Sequence, residues 1–297
     1  MAERHGTGLA AALILGATLP AQAGSLGFGN TEFEGRLAAV TRLEDQRITP
    51  ALSGDLSFAL PLFGGPLGLE IGLFGLATDL DTPHETYGTL TLELAAVKLA
   101  AGVPRPAFDG VAVSVLDRLV PISGLDEARI ATTRSRVTWG AMYGHYLPLG
   151  LSASGQSGAI GWAVSAHQVD QQDLQVVGAG LDWQSGDWSL AAALEWASDG
   201  GFGGKVQAVR QIGDIRLGGT VFVAPLPGAE DRGEAFVSWH AGQHLDLTGA
   251  LQVARDSGDA LALMAADYGI GDRGHLTAAL ISDAGDPALD LGLGWDF

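Results

Sequence analysis

Apolar and polar residues alternate along most of the chain after position 31. In one stretch Trp188, Leu190, Ala192, Leu194 and Trp196 alternate with small or polar residues, and 245–254 repeats the pattern. A period of two indicates β-strands with one apolar face. The pattern predicts sixteen strands, at 31–41, 52–62, 66–77, 86–95, 96–103, 134–146, 157–168, 173–183, 188–197, 205–212, 215–224, 233–241, 245–254, 260–269, 274–282 and 288–297.

Two architectures produce this alternation, a soluble sandwich and a membrane barrel. The strands are about ten residues long, which suits a membrane-spanning strand better than a soluble one. Tight turns at 184–187, 212–215, 241–244 and 271–274 alternate with longer connections at 198–204, 224–231, 255–259 and 282–287. We therefore predict an all-β fold, a transmembrane antiparallel β-barrel of 16 strands, with a soluble periplasmic β-protein as the alternative.

The amino-terminal residues read as an export signal. Gly8 to Leu19 is an unbroken small and apolar run, and it is followed by Ala21-Gln22-Ala23. A short apolar run before an A-x-A site is typical of a secretory signal peptide. We expect a signal peptide at 1–23, cleavage after Ala23, and a barrel at 24–297 with no membrane-spanning helix.

Composition excludes several classes of protein. There are 16 Lys and Arg against 34 Asp and Glu, a net charge of −18, so we expect no nucleic-acid partner. The absence of cysteine rules out thiolate metal sites, and the seven histidines show no ligand spacing, so we expect neither metal nor cofactor. Ser165 and His167 are the nearest approach to a hydrolytic pair, but we do not expect an enzyme.

The tryptophans and the carboxyl end add to the barrel interpretation. Trp183, Trp188, Trp239 and Trp295 lie beside short turns or at the end of the last strand, where an interfacial aromatic girdle is expected. Leu289, Leu291, Leu293, Trp295 and Phe297 share one face of that strand. A terminal aromatic residue there resembles the signal that the outer-membrane barrel assembly machinery reads.

Three stretches resemble the Gram-negative general porins: Tyr87-Gly-Thr-Leu-Thr-Leu92, Gly102-Val-Pro-Arg-Pro-Ala-Phe-Asp-Gly110 and the closing Gly-Trp-Asp-Phe297. The resemblance implies an outer-membrane location, a homotrimer, and a third loop that folds into the lumen and sets the constriction. It also implies passive diffusion of small hydrophilic solutes and ions. A substrate-specific channel and a plugged structural or adhesive barrel are the alternatives on the same fold.

The segment 104–133 is the longest connection and the candidate third loop. A sixteen-stranded cylinder is too wide for side chains to fill, so this segment decides whether the lumen is narrowed or plugged. Acids on the loop and bases on the wall would create a transverse field for dipolar solutes. The candidate constriction residues are Arg105, Asp109, Asp117, Arg118, Asp126 and Glu127 on the loop, and Arg36, Lys98, Arg134 and Arg136 on neighbouring strands.

Many acids lie in predicted outer connections, at Asp79, Asp81, Asp199, Asp256, Asp259, Asp283 and Asp286. They could hold divalent cations that bridge lipopolysaccharide, or could simply be hydrated. With the negative net charge, they lead us to expect a mild preference for cations.

Overall fold

Residues 32–297 are described by a computed structural model, and the expected signal peptide at 1–23 lies outside them. Sixteen strands form one closed antiparallel barrel in which each strand pairs with its neighbours along the chain, and β1 pairs with β16. The strands are β1 Glu32–Glu44, β2 Arg47–Pro61, β3 Leu67–Thr78, β4 His84–Leu94, β5 Val97–Val103, β6 Leu149–Ser157, β7 Ile160–Val169, β8 Leu174–Ser185, β9 Trp188–Ala197, β10 Phe202–Ile212, β11 Ile215–Val223, β12 Arg232–His240, β13 Leu245–Ala254, β14 Ala260–Ile270, β15 Gly274–Asp283 and β16 Asp286–Asp296.

The predicted barrel and its strand number are confirmed, but one predicted strand is wrong. Residues 134–146, expected as the sixth strand, contain a helix at Arg136–Gly144, and the sixth strand lies at Leu149–Ser157 instead. The longer connection expected at 282–287 is a two-residue turn, Ala284-Gly285, between β15 and β16. The first two strands likewise extend to a tight turn at Asp45-Gln46.

Most strands have an apolar face that is exposed and a second face that is less exposed, which we call the covered face. On β9, Leu190, Leu194 and Trp196 are exposed while Ala193 and Glu195 are buried. Trp183, Trp188, Trp239 and Trp295 lie on the apolar face near the barrel end that carries the chain termini, here the terminal end. This is the girdle position that the sequence predicts.

One connection is far longer than the others. It runs from 104 to 148 between β5 and β6 and leaves the barrel at the end opposite the termini. This long connection contains a 3₁₀ turn at Ala107–Gly110 and the helices α1 Val115–Leu119, α2 Pro121–Gly124, α3 Glu127–Thr133 and α4 Arg136–Gly144. In residues 32–297 no helix is both long and apolar enough to cross a membrane.

Candidate functional site

The long connection packs on the covered face along three separate arcs of the barrel wall. Leu116, Leu119 and Val120 pack against β13 to β16, where Leu261, Leu263, Ala265, Ala279 and Ile281 are buried. Leu125, Ile130 and Met142 pack against Phe74 and Leu76 of β3 and Ala51 of β2. Val137 packs on β7, β8 and β9. One segment therefore contacts the same face of strands on several sides of the closed barrel.

Two glutamates of the wall hold the connection by the same arrangement. Glu195 on β9 accepts hydrogen bonds from the Ser135 hydroxyl and, at 2.9 Å, from the Arg136 backbone N–H. Glu234 on β12 accepts from the Ser114 hydroxyl at 2.5 Å and from the Val115 backbone N–H at 3.1 Å. In each case the serine is also the N-cap of the next helix, α4 or α1.

Each of the two serine hydroxyls is a hydrogen-bond donor and a hydrogen-bond acceptor at the same time. A hydroxyl has one donor and two acceptor positions, so it can accept from the helix while it donates to the wall. Ser135 accepts from the Val137 N–H at 3.0 Å and Ser114 from the Leu116 N–H at 3.2 Å. The glutamate carboxylate then accepts a hydrogen bond from the serine hydroxyl and another from a backbone N–H that has no partner within the short helix. We call these two contacts the serine–glutamate anchors.

A third polar contact lies between the anchors. Asp109 accepts from the Ser135 backbone N–H at 2.7 Å and from the Thr138 hydroxyl at 2.5 Å. Glu85 on β4 lies 3.1 Å from the same hydroxyl oxygen of Thr138. Asp109 thus bonds the 3₁₀ turn to α4, and Thr138 carries the contact on to the barrel wall.

The centre of the connection contains a buried ion pair. Arg134 donates to Asp117, and both side chains are 7% exposed. Burial raises the pKa of Asp117 even though Arg134 opposes the shift. The Arg134 guanidinium also lies 4.6 Å from the centre of the Phe74 ring, a cation–π distance. An ion pair removed from water in this way contributes mainly by fixing the arrangement of its neighbours.

Further ion pairs join the connection to the wall near its rim. Arg129 donates to Asp126 within the connection and to Asp283 of β15, the latter at 2.7 Å. Arg136 bonds both oxygens of Asp199, in the β9–β10 connection. Arg105 pairs with Asp55 of β2 and stacks 4.8 Å from the Tyr87 ring centre.

The predicted constriction residues are only partly brought together. Arg134 and Arg136, expected on strands, belong to the long connection, so their assignment to the wall is wrong. The acids of the connection bond to residues of the same connection, as in the Asp117–Arg134 and Asp126–Arg129 pairs. Lys98 pairs with Glu70 on β3, Arg36 lies on β1 beside Asp267, and Glu127 and Arg118 are exposed.

Ser165 and His167, the pair weighed as a hydrolytic site, also hold the connection. The Ser165 hydroxyl accepts from the Ala107 N–H at 2.9 Å, and His167 Nε2 lies 2.9 Å from the Pro104 carbonyl oxygen. Both side chains are 4% exposed. Among residues 32–297, no group of three histidine or acidic side chains is arranged to hold a metal ion.

Open space lies on the terminal side of the connection. A cavity of about 490 Å³, which we call the vestibule, is bounded by α1 and by the covered faces of β10 to β14. Its lining is mostly polar and includes Arg118, Gln207, Arg216, Ser238, His240 and Asp246. A second cavity of about 540 Å³ lies by β4 to β8, next to Gly110 and Val111.

Solved structures share this architecture. A variant of the Rhodopseudomonas blastica porin with one lysine introduced is 17% identical, with a TM-score of 0.68, over 90% of this chain and 100% of that chain. A triple mutant of the same porin gives 17% identity and a TM-score of 0.67 with the same coverage. The chain has the porin fold.

The likeness extends to a second porin, whose structure was refined at 1.8 Å. It is 15% identical with a TM-score of 0.57, again over 90% of this chain and 100% of that chain. No protein-family model and no curated protein sequence matches the chain. At these identities the porin likeness establishes the fold, and the function must be argued from the residues themselves.

Sequence reasoning missed the residues that hold the connection in place. Glu195 and Glu234 lie at covered positions of their strands, and both are nearly fully buried. A carboxylate at such a position in a strand is a signal for an internal partner. Ser114 and Ser135 could have been identified as helix caps, but only if helices had been expected between β5 and β6.

Proposed function

We propose that the chain is an outer-membrane porin-type channel that lets small hydrophilic solutes and ions diffuse passively through a narrowed bore. The observation that carries the proposal is the contrast between the two faces of the closed barrel. The apolar face exposes large side chains such as Leu251, Leu280 and Met264, while the buried charged side chains of the strands, such as Glu195, Glu234 and Lys205, are on the covered face. Lipid on the outside and an aqueous interior accommodate both faces.

We infer further that the long connection lies across the lumen. A segment that contacts the covered faces of β2, β9, β12 and β15 on different sides of a closed barrel fits in its interior. The vestibule, with its polar lining, supports an aqueous space at the terminal end. The bore past the connection then limits passage to small solutes.

Location and assembly follow the same proposal. Residues 1–23 would be removed on export after Ala23, leaving 24–297 to insert into the Gram-negative outer membrane. Phe297 at the end of β16 would serve the barrel assembly machinery, and the barrel would associate as a homotrimer. Lipid and lipopolysaccharide would surround it, with the rim acids available to divalent cations.

Planar-bilayer recording on the refolded, detergent-purified chain tests the proposal. We expect discrete conductance steps that are small for a sixteen-stranded barrel, without block by any one organic solute. Saturable block by a single solute would instead indicate a substrate-specific channel. A chain that stays monodisperse in buffer without detergent would overturn the membrane barrel altogether.

A plugged barrel is the second candidate, and a specific observation favours it. Residues 129–135 of the connection are all buried, and Glu85, Lys205 and Gln252 of the facing wall are at most 2% exposed. A barrel filled to this extent would give no steps in the same recording. Steps that appear only after the serine–glutamate anchors are weakened would show that the connection is a removable plug.

A further inference from the structure

A narrow gap runs along the wall beside the vestibule. It has a volume of about 10 Å³, which is room for one water-sized particle, and lies between α1–α2 and the covered faces of β1, β15 and β16. Arg118 and Leu119 line both the vestibule and this gap, so the two spaces are neighbours. We call the gap the neck. Gly292 and Gly294 of β16 leave room for it on the wall side.

Two arginines and one aspartate are the charged residues that line the neck. Arg36 of β1 and Arg118 of α1 both border this small space. Asp290 is the one acid among its lining residues, and it accepts both hydrogen bonds of Arg42, at 2.8 and 2.9 Å. The charge of Asp290 is therefore already balanced by Arg42.

Arg36 is incompletely satisfied by its neighbours. Its nearest carboxylate oxygens, on Asp267 and Asp296, are 3.7 and 4.0 Å away. His275 holds the same two carboxylates more closely, at 3.1 and 2.7 Å. Within residues 32–297, the buried Nε and Nη1 atoms of Arg36 have no hydrogen-bond partner. Buried guanidinium donors without an acceptor favour a small acceptor in the adjoining space.

We propose that the neck is a subsite for a small inorganic anion of about the size of chloride, held between Arg36 and Arg118. The inference rests on the proposed channel function and deepens it. It makes the neck selective for anions, in place of the mild cation preference that the net charge of −18 leads us to expect. Arg36 and Arg118 act on an ion in the neck at close range, whereas exposed rim acids more than about 10 Å away are screened by salt.

Two measurements on the whole refolded chain test the subsite. The first is anomalous diffraction from crystals grown in sodium bromide, which locates bromide directly. The second is the reversal potential in a KCl gradient, recorded for the wild type, for Arg118→Gln and for Arg273→Gln. Arg273 is exposed in the β14–β15 turn at the same barrel end and is the matched control for loss of one positive charge.

We expect a bromide peak between Arg36 and Arg118, and a wild-type preference for chloride over potassium. Arg118→Gln should abolish the peak and lower the chloride-to-potassium permeability ratio about tenfold, since the nearest fixed charge is lost. Arg273→Gln should leave both unchanged. A conducting chain with no bromide in the neck and the same selectivity in both variants would overturn the subsite but leave the channel. Bromide in the neck of a chain that never conducts would support the subsite and refute the channel.

Discussion

Weakening the serine–glutamate anchors should release the long connection from the barrel wall. The change is Glu195→Gln together with Glu234→Gln, which keeps the shape of each side chain but removes its charge. The amide oxygen can still accept from the backbone N–H, and the amide nitrogen can donate to the serine hydroxyl. The four hydrogen bonds between the connection and the two glutamates therefore remain possible in the variant, but each becomes a bond between neutral groups.

The size of the effect follows from those four bonds. A hydrogen bond to a charged group contributes about 1 kcal/mol more than a neutral one, so at a pH where both carboxylates are ionised each anchor loses about 2 kcal/mol and the pair about 4 kcal/mol. Both carboxylates are buried, so solvent screening does not reduce the figure much. The fraction of molecules with the connection undocked should rise about thirtyfold in each single variant and nearly a thousandfold in the double variant.

Limited trypsin digestion of the folded barrel in detergent measures that fraction. Arg129 and Arg134 are buried in the connection, so cleavage after these two residues, scored separately from cleavage after the exposed Arg118, requires undocking and its rate follows the undocked population. Glu34→Gln, an exposed glutamate on β1, is the control and should digest at the wild-type rate. Equal cleavage of the double variant and the wild type, with the barrel intact, would refute the argument that these glutamates hold the connection.

Three other changes test the fold around the site. Asp117→Asn leaves Arg134 buried without a carboxylate and should lower the free energy of unfolding by roughly 3–5 kcal/mol, measured by thermal unfolding in detergent; a loss below 1 kcal/mol would show that the pair is solvated. Leu251→Lys, in the middle of the apolar face of β13, should cost about 2–4 kcal/mol in refolding titrations into bilayers, and Leu245→Lys near the girdle about 1 kcal/mol or less; equal costs would argue against a lipid-facing surface. Gly35→Ala should prevent β1–β2 pairing, because a Cβ at this position would lie 2.0 Å from a carbonyl oxygen of β2 and because the φ of Gly35 is +136°. The loss would be seen in gel electrophoresis as the absence of the heat-resistant folded band, and a folded variant would show that the two strands can shift.

The barrel could be predicted from the sequence because the alternation of its two faces is visible within each single strand. Each lipid-facing position alternates with a covered one, so residues such as Leu190, Leu194 and Trp196 reveal their face within a single strand. The sixth strand shows where that rule fails. In 149–157 only Leu149 and Leu151 are large and apolar, and the rest of the strand is Ser, Ala, Gly and Gln, so its alternation is nearly invisible.

The helices of the long connection depend on contacts with residues that are distant in the sequence. The stretch that follows Arg134 can be read as an alternating strand, but it forms α4 because Ser135 caps the helix. Glu195, sixty positions further along the chain, accepts hydrogen bonds from the Ser135 hydroxyl and from the Arg136 backbone N–H. Neither contact is visible before the barrel closes and brings β9 opposite the connection. Glu234 does the same for α1 from still further away. Two of the residues that hold the long connection in place therefore belong to the wall, and inspection of the loop sequence alone does not find them.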